Sequence, residues 1–77
     1  MAKLDSVPGF PAMLPAPTNL VLNKTSSGKF QIARVRQVGA SQDFDILCTC
    51  DTDSEAREFA RAQIEKDFPG LLNQIQI

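Results

Sequence analysis

Only one part of this chain carries helical spacing, and it opens on an explicit start signal. Thr52-Asp53-Ser54-Glu55 has the form of a capping box. In that motif the threonine hydroxyl accepts from the glutamate amide while the glutamate side chain reaches back to the threonine amide. Asp51, Asp53 and Glu55 complement the positive end of the helix dipole. Downstream, Ala56, Phe59, Ala60, Ile64 and Phe68 recur at helical spacing on one face. Asp53, Arg57, Arg61 and Glu65 run in four-residue steps along the opposite side, with opposite charges meeting at both ends. Pro69-Gly70 ends the helix, because the residue before a proline is pushed out of helical torsions. A single amphipathic helix cannot cover its own apolar stripe, so the rest of the chain must supply a surface for it.

That surface reads as a sheet. Asn19–Lys24 (NLVLNK) predicts a first strand with Leu20 and Leu22 on one face, and Thr25–Gly28 (TSSG) predicts a turn. Lys29–Val38 is the longest strand candidate, and its alternation slips: Phe30 and Ile32 share one face, then Ala33 and Val35 share the other. A β-bulge near Ala33 would bring both pairs inward and leave Arg34 and Arg36 pointing outward together. Gly39–Asp43 is a second turn. Phe44–Cys50 closes the sheet, with Phe44, Ile46, Cys48 and Cys50 on one face against Asp45, Leu47 and Thr49.

The expected fold is therefore α+β: a three-stranded antiparallel sheet with one C-terminal amphipathic helix packed on one face, β-β-β-α, over residues 19–77. Phe59 and Ile64 would be buried against Phe30, Ile32, Phe44 and Ile46. The face away from the helix, with Arg34, Arg36, Val21 and Leu47, would be left uncovered. At the C-terminus Ile75 and Ile77 alternate with glutamines, which fits either a short edge strand or a frayed apolar tail. Residues 1–18 read as a proline-rich arm. Pro8, Pro11, Pro15 and Pro17 favour extended chain, while Phe10, Met13 and Leu14 are apolar contacts for its own domain or a partner. The leading reading of this segment is a mobile leader, and an arm that lies on its own domain or on a partner is the alternative.

Chemistry is constrained mainly by what the chain lacks. It has no histidine, so the commonest general base and metal ligand are both missing. Cys48 and Cys50 are the only cysteines, and a tetrahedral zinc ion needs four donors. They are read as small core hydrophobes, with a metal shared between two chains as the alternative. A calcium loop starting at Asp51 fails at Ala56, where glycine is needed, and at Ala62, where a bidentate glutamate is needed. The apolar strand followed by Asp51 and Asp53 resembles the first motif of the haloacid-dehalogenase phosphatases, where these would be nucleophile and general acid. That family's large doubly wound sheet needs far more than 77 residues. No enzyme activity, no metal and no cofactor is expected. With no long apolar run and no disulfide framework, the expected setting is a cytoplasmic, reducing one without membrane insertion.

The formal charge of −1 is unevenly spread. Lys24, Lys29, Arg34 and Arg36 lie in the strand region, and Asp51, Asp53, Glu55, Glu58, Glu65 and Asp67 lie in and around the helix. The order of strands, GKFQIARVR and DTDSEAREFARAQIE resembles the arm-binding domains of tyrosine recombinases and the plant ethylene-response DNA-binding domains. That resemblance implies nucleic-acid binding through the sheet face opposite the helix, by Lys24, Lys29, Arg34 and Arg36. The same small unit with an acidic surface is similar to phage-encoded inhibitors, including some anti-CRISPR proteins. This implies a protein partner, met by the six acidic residues. The leading expectation is a small non-enzymatic protein-binding module, an inhibitor or accessory factor occupying a partner surface; the alternative is a nucleic-acid-binding domain. Apolar ends at Phe10–Leu14 and Leu71–Ile77 also suggest a homodimer as a source of extra burial.

Overall fold

The structure, a computed structural model, describes residues 5–15 and 17–77. One antiparallel sheet has the order β1-β2-β3-β4, from Ala12–Met13 (β1), Leu20–Lys24 (β2), Phe30–Val38 (β3) and Ser41–Cys50 (β4). Helix α1 (Asp53–Asp67) and a single 3-10 turn (Leu71–Asn73) follow. The α+β class, the antiparallel sheet and the C-terminal helix agree with the periodicities. None of the described helices is long and apolar enough to cross a membrane.

The sheet has four strands rather than three because the arm adds one. Ala12 and Met13 pair with Leu22 and Val21. The Val7 amide donates to the Lys24 carbonyl at 3.0 Å and the Leu14 amide to the Leu20 carbonyl at 2.9 Å. Prolines are tolerated because β1 is an edge, where amides facing away from the sheet are not needed for the ladder. Leu14 enters the core and Phe10 packs half-buried against it, whereas Met13 is 63% exposed. Over its described residues the arm thus lies on its own domain.

Asn23 fastens the arm. Its side chain is fully buried within β2. The Ser6 hydroxyl donates to its Oδ1 at 2.5 Å, while its Nδ2 donates to the Asp5 carbonyl and to Gln31 Oε1, both at 3.0 Å. Asp5 in turn accepts from the Ser26 amide and hydroxyl, tying the arm to the β2–β3 turn. A buried amide is costly unless its polar atoms are paired, and here each is.

The phase slip in β3 is resolved by a bulge in β4. Ile32 pairs with Cys48 and Ala33 with Ile46, so Leu47 is the extra residue. Cys48 and Cys50 consequently face α1, while Phe44 and Ile46 face away from it. The expected grouping of all four on one face is corrected, as is the placement of Ala33 and Val35 beside Phe30 and Ile32. Either strand could absorb the additional residue and restore an alternating pattern; the pairing selects β4.

On the helix side, Leu14, Leu20, Leu22 and Ile32 meet Ala56, Ala60 and Ile64 in one buried cluster. Phe59 packs at its margin with Phe30, Leu47, Cys48 and Cys50. The two alanines let the helix approach the sheet closely. Thr52 Oγ1 accepts from the Glu55 amide at 3.2 Å, as the capping box requires. At the other end Gly70 turns the chain with a φ of 87°, a left-handed conformation that glycine adopts without steric cost. The tail is neither an edge strand nor loose. It makes a 3-10 turn, packs Leu71, Leu72, Ile75 and Ile77 on the core, and places the Ile77 carbonyl 2.6 Å from an Arg61 guanidinium nitrogen.

Candidate functional site

The face of the sheet turned away from α1, the outer face, is built by strict alternation from the register. One row runs across all four strands: Met13, Val21, Ala33 and Ile46. Its centre is closed, with Val21 and Ala33 buried, and its two ends are open, with Met13 63% and Ile46 45% exposed. Beside it Val35 pairs with Phe44, both half-buried. On one flank lies a polar row in which Asn23 Nδ2 donates to Gln31 Oε1 and Gln31 Nε2 donates to Thr49 Oγ1. On the other flank Gln37 pairs with Gln42.

No strand residue on this face is charged. Every charged residue within the four strands (Lys24, Arg34, Arg36, Asp43 and Asp45) has the helix-side phase. The outer face is an apolar band bordered by amides and hydroxyls, the composition of an interface core with a polar rim. It is continued by the margin of β4, the last strand of the sheet, beyond which no further strand of the described residues lies. An unpaired strand margin of this kind offers backbone donors and acceptors to another chain.

The predicted basic site is not assembled on that face. Arg34 reaches Asp67 of α1 at 2.7 Å, and Arg36 reaches Asp45 on the neighbouring strand at 3.0 Å. Lys24 lies 5.5 Å from the centroid of the Phe30 ring, and Lys29, in the β2–β3 turn, pairs with Asp51. The Lys29–Asp51 pair raises the lysine pKa and lowers that of the aspartate through their mutual hydrogen bond and charge. The expectation that Arg34, Arg36 and Leu47 share the uncovered face is thus corrected: alternation turns the arginines toward the helix side, and Leu47, the bulged residue, packs half-buried against the core.

Ion pairing also divides the acidic set. Asp51, Asp53 and Asp67 pair with Lys29, Arg57 and Arg34. Glu55, Glu58 and Glu65 are exposed on the helix, and no ion pair among the described residues reaches Glu58 or Glu65. Of the three apolar arm residues, Phe10 and Leu14 are used internally and Met13 remains on the surface.

Cys48 and Cys50 are free, half-buried thiols on the helix side, with their sulfurs 3.7 Å apart. Burial, with the hydrogen bond to Cys50, pushes the Cys48 pKa up to about 11, against an opposing pull from the Ile32 backbone. At neutral pH Cys48 is a protonated, weakly nucleophilic thiol. Among the described residues no group of three or more metal-ligating side chains converges.

Two of these features lay beyond the sequence reading. The buried state of Asn23 depends on Asp5 and Ser6 crossing over it, and nothing local marks that. The lack of charged strand residues on this face depends in β4 on the bulged register, which turns Asp43 and Asp45 to the helix side; the slip at Ala33 signalled the bulge without locating its extra residue.

Comparison with protein families, with curated proteins and with solved structures found no match for this chain.

Proposed function

We propose that this protein is a small non-enzymatic protein-binding module that docks through its outer sheet face. The observation carrying this reading is the apolar row Met13–Val21–Ala33–Ile46, exposed at both ends on a face without charged strand residues. Such a surface suits a partner with an apolar patch and a hydrogen-bonding rim. The margin of β4 can add backbone pairing, and Glu55, Glu58 and Glu65 can bias the approach of a basic partner without entering the contact. An inhibitor or accessory factor that works by occupying a partner surface needs no more chemistry than this. The nucleic-acid reading draws no support from the strands of the outer face, because phosphate binding rests on cations and none of the described strand residues on this face is one.

The test compares wild-type protein with Met13→Asp/Ile46→Asp and with Glu58→Lys, each first shown to be folded by circular dichroism. Capture of a protein that survives high salt, is lost with the double variant and is kept by Glu58→Lys is the expected result. Concentration-dependent dimerisation abolished by the same double variant would identify a second copy of the chain as the occupant. Capture indifferent to Met13→Asp/Ile46→Asp, or a salt-sensitive mobility shift with DNA or RNA, would overturn the reading.

A further inference from the structure

The two thiols form a cluster that outer-face docking does not use. Their spacing is what a strand provides: residues two apart project on the same face, with Cα atoms roughly 6.6–6.8 Å apart. Rotation about the side-chain bonds has brought the sulfurs to 3.7 Å. They belong to no disulfide, and they sit at the margin of the sheet, half in solvent and half against the apolar cluster. They are reachable without unfolding, yet backed by a dry wall.

The donor set selects the class of ligand. The chain contains no histidine and no third cysteine, and no third ligating side chain converges here among the described residues. Zinc in a structural site takes four donors, and calcium and magnesium take oxygens. Thiolates in an apolar setting favour soft ions, Cu(I) among them. Two sulfurs alone satisfy an ion content with two ligands. With the roughly 2.3 Å bond of a zinc thiolate as a guide, the present 3.7 Å separation corresponds to an S–metal–S angle of about 107°. Parting the sulfurs by about 1 Å makes the unit linear. Side-chain torsions supply that movement, so the sheet need not shift.

We propose that Cys48 and Cys50 form a two-coordinate site for a soft monovalent metal ion, with Cu(I) as its biological ligand. Binding releases both thiol protons to solvent and forms two metal–sulfur bonds. The ion stays monovalent, and no oxidant or reductant is consumed. The site lies on the helix side of β4 and is therefore independent of docking by the outer face.

The experiment titrates reduced, full-length protein with Cu(I) under anaerobic conditions, in competition with a chromophoric Cu(I) chelator. The protein should withdraw one equivalent per chain, with no change in its mass by sedimentation on loading. Amide resonance shifts should centre on Ile32 and residues 48–50. Cys48→Ser and Cys50→Ser should each weaken uptake at least a hundredfold, and both should keep the wild-type circular dichroism. Wild-type stoichiometry is itself decisive should either variant fold poorly. Failure to compete with the chelator would overturn the site, as would single-cysteine variants binding as well as wild type. Half an equivalent of Zn(II) bound with doubling of the mass would replace it with a four-thiolate bridge between two copies.

Discussion

The two faces of the sheet are made from the same strands and could hardly differ more. The helix-side face takes every charged strand residue and most of the buried apolar side chains, and satisfies them with α1, the tail and neighbouring ion pairs. The outer face takes none of the charged strand residues, and its apolar row ends in two exposed side chains. One residue separates these outcomes. Were Leu47 not bulged, Ile46 and Cys48 would both follow the phase of β3 without interruption, and the thiols and the outer row could not occupy opposite faces of a single strand. The comparison teaches that in a sheet this small, a single insertion in register sets which surface is core and which is available.

The sharpest way to break the comparison is to truncate one isoleucine from each face. Ile64→Ala removes a fully buried side chain from the helix-side cluster and should cost about 2–5 kcal/mol, enough to unfold much of a domain this size. Ile46→Ala, at 45% exposure on the outer face, should cost less than about 1 kcal/mol. Urea denaturation of both variants measures the gap; equal losses would mean that the outer face is core.

Asn23→Ala tests a place where the arm covers the outer face. It leaves Ser6, the Asp5 carbonyl and Gln31 without their shared partner, and should cost about 2 kcal/mol. Hydrogen exchange at the Val7 and Leu14 amides should accelerate more than exchange within β3, since the arm is what the amide holds. Uniform acceleration would instead make Asn23 a general core residue.

The smallest effect belongs to the charges. Arg34→Gln or Arg36→Gln removes a half-exposed ion pair, and each should change stability by less than about 1 kcal/mol, diminishing further in salt. Neither should alter outer-face docking. A large loss of partner capture with either variant would place the working surface on the helix side.

How far the sequence could be read follows the range of the interactions involved. The helix start was legible because Thr52 and Glu55 act within one turn, and the Thr25–Gly28 turn because its hydrogen bonds are local. Strand β1 was not, since two residues among prolines carry no periodicity, and only pairing with Val21 and Leu22 makes them a strand. The tail was ambiguous because Ile75 and Ile77 are apolar in either reading, and the reversal at Gly70 decides between them. The phase slip at Ala33 was legible as a bulge, but its position in β4 rests on a cross-strand register that no single strand encodes. An uncovered sheet face with Val21 on it was therefore anticipated, but Arg34, Arg36 and Leu47, also assigned to it, lie on the helix side and leave it without charged strand residues.

The division of the sheet by Leu47 is tested most directly by methyl resonances in the presence of a soluble paramagnetic probe. The Met13 and Ile46 methyls should broaden strongly, while those of Ile32, Leu22 and Ile64 stay sharp. An Ile46 methyl as well protected as that of Ile32 would place it beneath the helix and contradict the account.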